Sequence, residues 1–191
     1  MAPELEPAGF TGTLLAAMPA LQGADFRGTV VLVCAHSAEG AMGLVLNRPG
    51  RVVVADGAEG DLPALVRRLA ARGPVHVGGP VETRRPFVLH DPAWRPGGST
   101  LHVDDGHALS ASAEALEAVA SGEAPGDVLV ALGYAGWGAG QLEAEVLANV
   151  WLTVPADPAI TFHGDADAKW RLAAGSLGVA AGGLSAQAGR A

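Results

Sequence analysis

The chain has 191 residues, 49% of them apolar and 17% charged, with a formal net charge of −8 and a single cysteine. A chain of this length buries roughly 70% of its unfolded surface, so it folds without disulfides or metal, and one cysteine excludes an internal bridge. No run of 18 apolar residues occurs, which excludes a helical membrane span.

The N-terminal stretch MAPELEPAGFTG carries two glutamates and no basic residue. It lacks the positive start and apolar stretch of a secretory signal, so a cytoplasmic protein is expected. We read residues 1–191 as one domain, with about 1–11 and 181–191 as flexible ends. Residues 13–17 suit a first strand, ended by Met18-Pro19. Residues 28–36, GTVVLVCAH, form a valine-rich run too short for a helix and predict a buried strand. Residues 41–46 are its expected hairpin partner across Ser37–Gly40. Residues 47–60 predict a loop with a short strand at 52–54. Asp61 caps a helix that runs to about Arg72 and stops at Gly73-Pro74.

Residues 75–77 predict a short strand that enters Gly78-Gly79-Pro80. Residues 87–90 and 100–103 predict two more. A helix starts near Ser110 or Ser112 and runs to Ser121, with Leu109, Ala113 and Leu116 on its apolar stripe and Gly122 as its stop. Residues 128–132 read as a buried strand. A glycine loop, 133–140, then leads into a helix with Leu142, Val146 and Val150 on one face. Residues 151–154 predict a final strand, and 167–175 a short helix bearing Trp170. Early hairpins followed by alternating strands and helices predict a mixed α/β sheet with helices packed on it.

The charge is unevenly spread. From residue 96 to 168 there are eleven acids and no Lys or Arg. The remaining nine acids face all twelve bases, a net of +3. Duplex DNA would have to be held by Arg67, Arg68, Arg72, Arg84, Arg85 and Arg95 against that acidic half, so charge speaks against DNA as a partner.

The stretch GYAGWGAGQLEAE, 133–145, raises the question of a phosphate loop. A dinucleotide fingerprint needs G-x-G-x-x-G, and Gln141 stands where the third glycine belongs. A Walker loop needs Gly-Lys-Ser or Gly-Lys-Thr, which is absent. Glu143 and Glu145 occupy the helix start, where an anion would sit. The glycines therefore read as close backbone approaches that let Tyr134 and Trp137 fold over the helix start. Trp137 reads as a core plug or an exposed recognition surface.

GYAGWGAGQLEAE followed by NVWLTVPAD resembles the signature of the AlgH/YqgE family of bacterial proteins. The likeness extends to residues 14–49, LLAAMPALQGADFRGTVVLVCAHSAEGAMGLVLNRP, to 76–90, HVGGPVETRRPFVLH, and to 169–179, KWRLAAGSLGV. It runs in order over about 12–180. Gly23-Ala24 replaces the family's frequent Asp-Pro pair, and residues 50–60 depart from its strand and helix. The resemblance implies an α/β (α+β) fold, a mixed, largely antiparallel, barrel-like sheet with helices packed outside. Family members are often labelled transcriptional regulators, but no biochemical activity follows from membership. The chain offers no helix-turn-helix with a basic recognition helix.

Other constellations are weaker. Cys34 and His36, two apart on a strand, should share a face, but a thiolate is disfavoured inside a valine run. His102 and Asp104 share a strand face and offer metal-type ligands, with His107 beyond a turn and no clear third ligand for that face, so no metal and no cofactor is assigned. Gly78-Gly79-Pro80 could form an anion nest near Arg84 and Arg85, or simply a turn. No G-x-S-x-G, H-E-x-x-H or C-x-x-C occurs. These observations favour a binding or regulatory module without catalysis. Its candidate ligand- or partner-binding residues are His36, Asn47, Gly78, Gly79, Pro80, Tyr134, Trp137 and Gln141. The expected partner is a protein or small ligand, and a homodimer is conceivable. Two alternatives stand: a DNA-acting regulator, and a hydrolase-like enzyme using His36 or His90 as base.

Overall fold

Alternating burial along the valine-rich runs builds the centre of one sheet. The computed structural model describes residues 9–19, 26–50 and 61–178. In chain order the elements are β1 (Thr13–Ala17), β2 (Val30–Ser37), β3 (Gly40–Val45), α1 (Asp61–Ala70), β4 (Val75–Val77), β5 (Val81–His90), β6 (Thr100–Asp104), β7 (His107–Ser110), α2 (Ala113–Ser121), β8 (Val128–Gly138), α3 (Gln141–Leu147), β9 (Trp151–Pro155), α4 (Pro158–Thr161) and α5 (Ala166–Ser176). The sheet order is β6-β7-β5-β8-β3-β2-β1-β9, antiparallel throughout, with β4 joined in parallel to β8. The expected fold is present: a mixed, mainly antiparallel sheet that curls into a half-barrel carrying, among the described residues, five helices.

The two-residue period of the strands sorts side chains into separate cores. Leu14, Leu32, Leu44, Leu89 and Ala131 pack inside the curl, joined by Ile160 of α4 and Ala173 of α5. Leu15, Val31, Val33, Ala135 and Trp137 point to the other face and are covered by Leu142 of α3. Val75, Val88 and Val130 meet α1 and α2 through Leu69, Leu116 and Val119. Burying a side chain such as Leu116 is worth roughly 1.5–3 kcal/mol, so the apolar stripe rather than propensity holds α2 in place. Ser112 accepts a hydrogen bond from the Ala115 amide at its start, and Gly122 ends it in the left-handed conformation.

Several expectations are corrected. The stretch 133–138 is not a loop: β8 runs unbroken to Gly138, because Ala135 and Trp137 keep a buried face and pair with β3. Leu109 is not on the helix stripe. It lies in β7, a strand unseen in the sequence because its four residues carry no alternation, and all four are buried. β5 begins at Val81 rather than 87, since an irregularity between Val81 and Pro86 lets exposed polar residues stay in the strand. Cys34 and His36 do not share a face. A bulge between Val33 and Ala35 shifts the alternation, so Cys34 packs inside the curl while His36 meets Phe10 and Glu143. The strand expected at 52–54 lies outside the described residues.

Candidate functional site

The residues singled out in the sequence fall around the junction of β2, β3, β5 and β8. An open groove of about 640 Å³ lies there, walled by Met42, Val81, Arg85, Phe87 and Tyr134. Gly136 sits between Tyr134 and Gly138 on β8, opposite Met42, and leaves the floor without a side chain. Tyr134 meets Phe87 edge to face at 6.1 Å, and the Arg85 guanidinium lies 5.3 Å from the Phe87 ring centre. Arg85 also donates to Glu82 at 2.9 Å. His36 closes one end. Its side chain is only 6% exposed, with Nε2 3.0 Å from Glu143 and Nδ1 accepting from the Phe10 amide.

Trp137 borders the groove but is largely buried. The residue is 7% exposed and packs with Val33, Ala135 and Leu142, and its Nε1 donates to Glu145 Oε2 at 2.9 Å. Trp151 Nε1 donates to the same oxygen at 2.7 Å. Gln141 donates to Glu145 Oε1 and accepts from the Gly138 amide. Glu145 is therefore the anchor of GYAGWGAGQLEAE. Its carboxylate ties two buried indoles and the start of α3 together. The stretch is a structural clasp, which accounts for its acids at the place where a phosphate loop would hold an anion.

Asn47 is also used internally. It accepts from the Val30 amide and donates to the Gly28 carbonyl, stapling the end of β3 to the entry of β2, and it does not line the groove. Gly78 does not act as an anion nest. Its amide already donates to Leu132 and its carbonyl accepts from Val45. Gly78 and Gly79 cross β8 so closely that a Cβ on either would overlap backbone atoms of Gly133 or Tyr134. Pro80 is exposed beside Val81 at the groove. The structure thus brings His36, Tyr134 and Trp137 to the groove, and uses Asn47, Trp137 and Gln141 in supporting bonds.

His90, considered as a base, and His107, considered as a metal-type ligand, are both sealed in the core. His90 Nε2 is 2.9 Å from Ser110 Oγ, and His107 bridges Asp104 at 2.7 Å and Thr161 at 3.0 Å. Hydroxyl, imidazole and carboxylate in line suggest a catalytic triad. Yet His90, His107 and Thr161 are each fully buried and Ser110 nearly so. No substrate reaches them, and they serve as satisfied polar links in the core. Burial likewise pushes the Cys34 thiol up to about 12, far from a nucleophilic thiolate.

The residue that sequence reasoning missed is Lys169, the only lysine of the chain. It is 2% exposed, and its ammonium donates to the carbonyls of Leu46 at 3.0 Å and Thr161 at 2.7 Å. No carboxylate pairs with it among the described residues. Burial lowers its pKa from 10.5 to about 8. A lone lysine next to Trp170 was the available sequence signal, but its burial was not legible.

That shift has a measurable sign. Below about pH 8 both folded and unfolded chains hold the proton, and the cost of burying the charge is carried in full. Between about 8 and 10.5 the unfolded chain binds more protons, so this group makes stability rise with pH, by up to about 3 kcal/mol at 1.36 kcal/mol per unit. Cys34 acts oppositely: its raised pKa costs stability between about 9 and 12. The difference in unfolding free energy between wild type and Lys169→Met isolates the lysine. Urea melts from pH 7 to 10.5 should show wild type gaining on the variant as pH rises. A difference independent of pH would show that Lys169 keeps an ordinary pKa.

A half-barrel sheet with a groove at its β3–β8 seam defines a mixed α/β fold with no exposed catalytic constellation among the described residues. The chain belongs to the AlgH-like family, DUF179, whose model matches residues 14–182. A UPF0301 protein of Rhodospirillum rubrum is 47% identical over 95% of this chain and 94% of its own. A UPF0301 protein of Methylobacterium nodulans is 44% identical over 94% of this chain and 89% of its own. The solution structure of the AlgH protein from Pseudomonas aeruginosa is 41% identical, with a TM-score of 0.74 over 97% of both chains. A Corynebacterium diphtheriae protein, DIP2367, shares the fold at 20% identity and a TM-score of 0.67, over 86% of this chain and 84% of its own. No helix among the described residues is long and apolar enough to cross a membrane.

Proposed function

We propose that this protein is a binding or regulatory module without catalysis, and that it recognises a protein partner through the groove at the β3–β8 seam. The observation that carries this reading is the composition of the groove. Met42, Val81, Phe87 and Tyr134 present apolar and aromatic surface around a floor opened by Gly136, with Arg85 at the rim. Aromatic and arginine side chains of this kind are what protein interfaces are enriched in. The polar groups nearby are already engaged, His36 with Glu143 and Arg85 with Glu82, which suits recognition better than acid–base chemistry.

Direct DNA regulation is less well supported. Arg68 pairs with Glu117, Arg72 donates to the carbonyls of Ala120 and Ser121, and Arg85 pairs with Glu82. Three of the six arginines that would form a basic surface are thereby occupied.

The test uses Tyr134→Ala and Arg85→Glu, with Glu123→Ala, distant from the groove, as control. Arg85 is exposed, so Arg85→Glu should change stability by less than about 1 kcal/mol, whereas Tyr134 is half-buried against the core and Phe87, so Tyr134→Ala should cost about 1–3 kcal/mol and still leave a folded protein. Proteins captured by the wild type and the control should be depleted at least tenfold on both groove variants, and labelled duplex DNA should not bind at low salt. Equal capture by all four proteins would overturn the groove assignment. DNA binding that weakens steeply with salt would restore the regulator reading.

A further inference from the structure

A second, more enclosed cavity of about 230 Å³ lies between the end of α1, β4, the start of β8 and the segment after α4. It shares no residue with the groove. Its apolar walls include Leu69, Val119, Val130 and Phe162. Its polar lining is of one sign in kind: Lys169 on α5, His76 on β4, Arg72 after α1 and His163 after α4, with no Asp or Glu. That is unexpected in a chain of net charge −8.

Lys169 and His76 make this more than a crevice. Two of the three ammonium N–H groups of Lys169 are taken by the Leu46 and Thr161 carbonyls, which leaves one donor and a whole positive charge without a counter-charge. A buried ammonium is stable only when paired, or when it yields its proton. His76 is 7% exposed; its Nδ1 lies 3.3 Å from the Val130 carbonyl and its ring also meets the Pro74 backbone, so the imidazole is fixed at the cavity wall beside Lys169. Burial opposes protonation of His76, and the nearby Lys169 charge acts in the same direction. An anion between them would relieve both.

We propose that this cavity binds a small organic monocarboxylate, with its carboxylate against Lys169 and His76 and its apolar body against Leu69, Val119, Val130 and Phe162. Carboxylate is favoured over phosphate because few donors are available. Arg72 already spends Nε and Nη2 on the carbonyls of Ala120 and Ser121, and His163 Nδ1 accepts from the Asp165 amide. A dianion with several acceptor oxygens would remain undersatisfied, whereas apolar walls suit a carbon skeleton.

The probes are butyrate and benzoate, titrated into the full chain and followed by amide chemical shifts at pH 7 and pH 9.5. At least one should give saturable shifts concentrated at residues 69–76, 128–130 and 162–164, with affinity at least tenfold weaker at pH 9.5, where Lys169 has lost its proton. Lys169→Met should bind at least tenfold more weakly than wild type. If that variant does not fold, the location of the wild-type shifts and their pH dependence decide alone. Absence of saturable shifts, shifts centred on the groove, equal affinity at the two pH values, or tighter binding of inorganic phosphate than of either carboxylate would each overturn the assignment. Because groove and cavity share no residue, failure here leaves the protein-binding reading untouched, and the reverse also holds.

Discussion

Gly79→Ala is expected to destabilise the fold by about 4 kcal/mol, enough to lower the melting temperature by roughly 8–16 °C for a chain of this size. Gly79 has φ +154°, where a side chain is strained, and an added Cβ would overlap the Tyr134 carbonyl and the Ala135 amide. Both are backbone atoms in the middle of β8, so neither swings aside as a flexible side chain would. Overpacking costs about 1–3 kcal/mol and occasionally more, and a residue held in a disfavoured conformation adds about 1–3 kcal/mol. Gly140→Ala is the control. It also has positive φ, at +69°, but nothing lies within 4 Å of its added Cβ. That variant should lose only about 1–2 kcal/mol, the conformational part. Thermal melts of both variants check the argument. Equal losses would mean that the close crossing of β8 contributes nothing beyond backbone preference.

Glu145→Leu is expected to cost about 3–5 kcal/mol. Two nearly buried indoles, Trp137 and Trp151, donate to one carboxylate oxygen, and each would keep an N–H without an acceptor. An unsatisfied buried donor costs about 1–3 kcal/mol. Glu145→Gln keeps one oxygen for the indoles but turns an amide toward Gln141, so about 1–2 kcal/mol is expected. The diagnostic is a double-mutant cycle with Trp137→Phe, which removes one orphaned donor. In the Glu145→Leu background the phenylalanine should be less costly than in wild type. Additive losses would show that the indole–carboxylate bond carries no coupling. Tryptophan fluorescence should also change in Glu145→Leu, since both rings lose a charged neighbour.

These two positions show how the glycine-rich stretch was legible and where it was not. That Gly-rich sequence flanking β8 permits close backbone approach, and that Glu143 and Glu145 oppose a bound phosphate, followed from residue types alone. That β8 continues to Gly138 did not, because alternation is hard to read when three of the six residues 133–138 are glycine. Ala135 and Trp137 become a strand face only once β3 lies beside them. The same holds for β7, which has no solvent-facing residue to mark its period, and for His36, whose face depends on a bulge that leaves no local sequence sign.

Local chemistry determined a good part of this protein. The valine runs, Ser112 and Gly122 at the ends of α2, and Asp61 at the start of α1 specify elements through interactions within a few residues. The single cysteine and the uneven charge were equally plain, as was the resemblance that set the family. Only the tertiary structure decided which polar residues are available. Asn47, Gln141 and Trp137 look free in sequence but are consumed by partners on other elements. Lys169 looks like a surface residue yet is enclosed by a carbonyl 123 residues away and another from α4. The reason is physical: propensity and capping act over one or two turns, whereas desolvation and hydrogen-bond satisfaction are set by whatever the fold brings alongside.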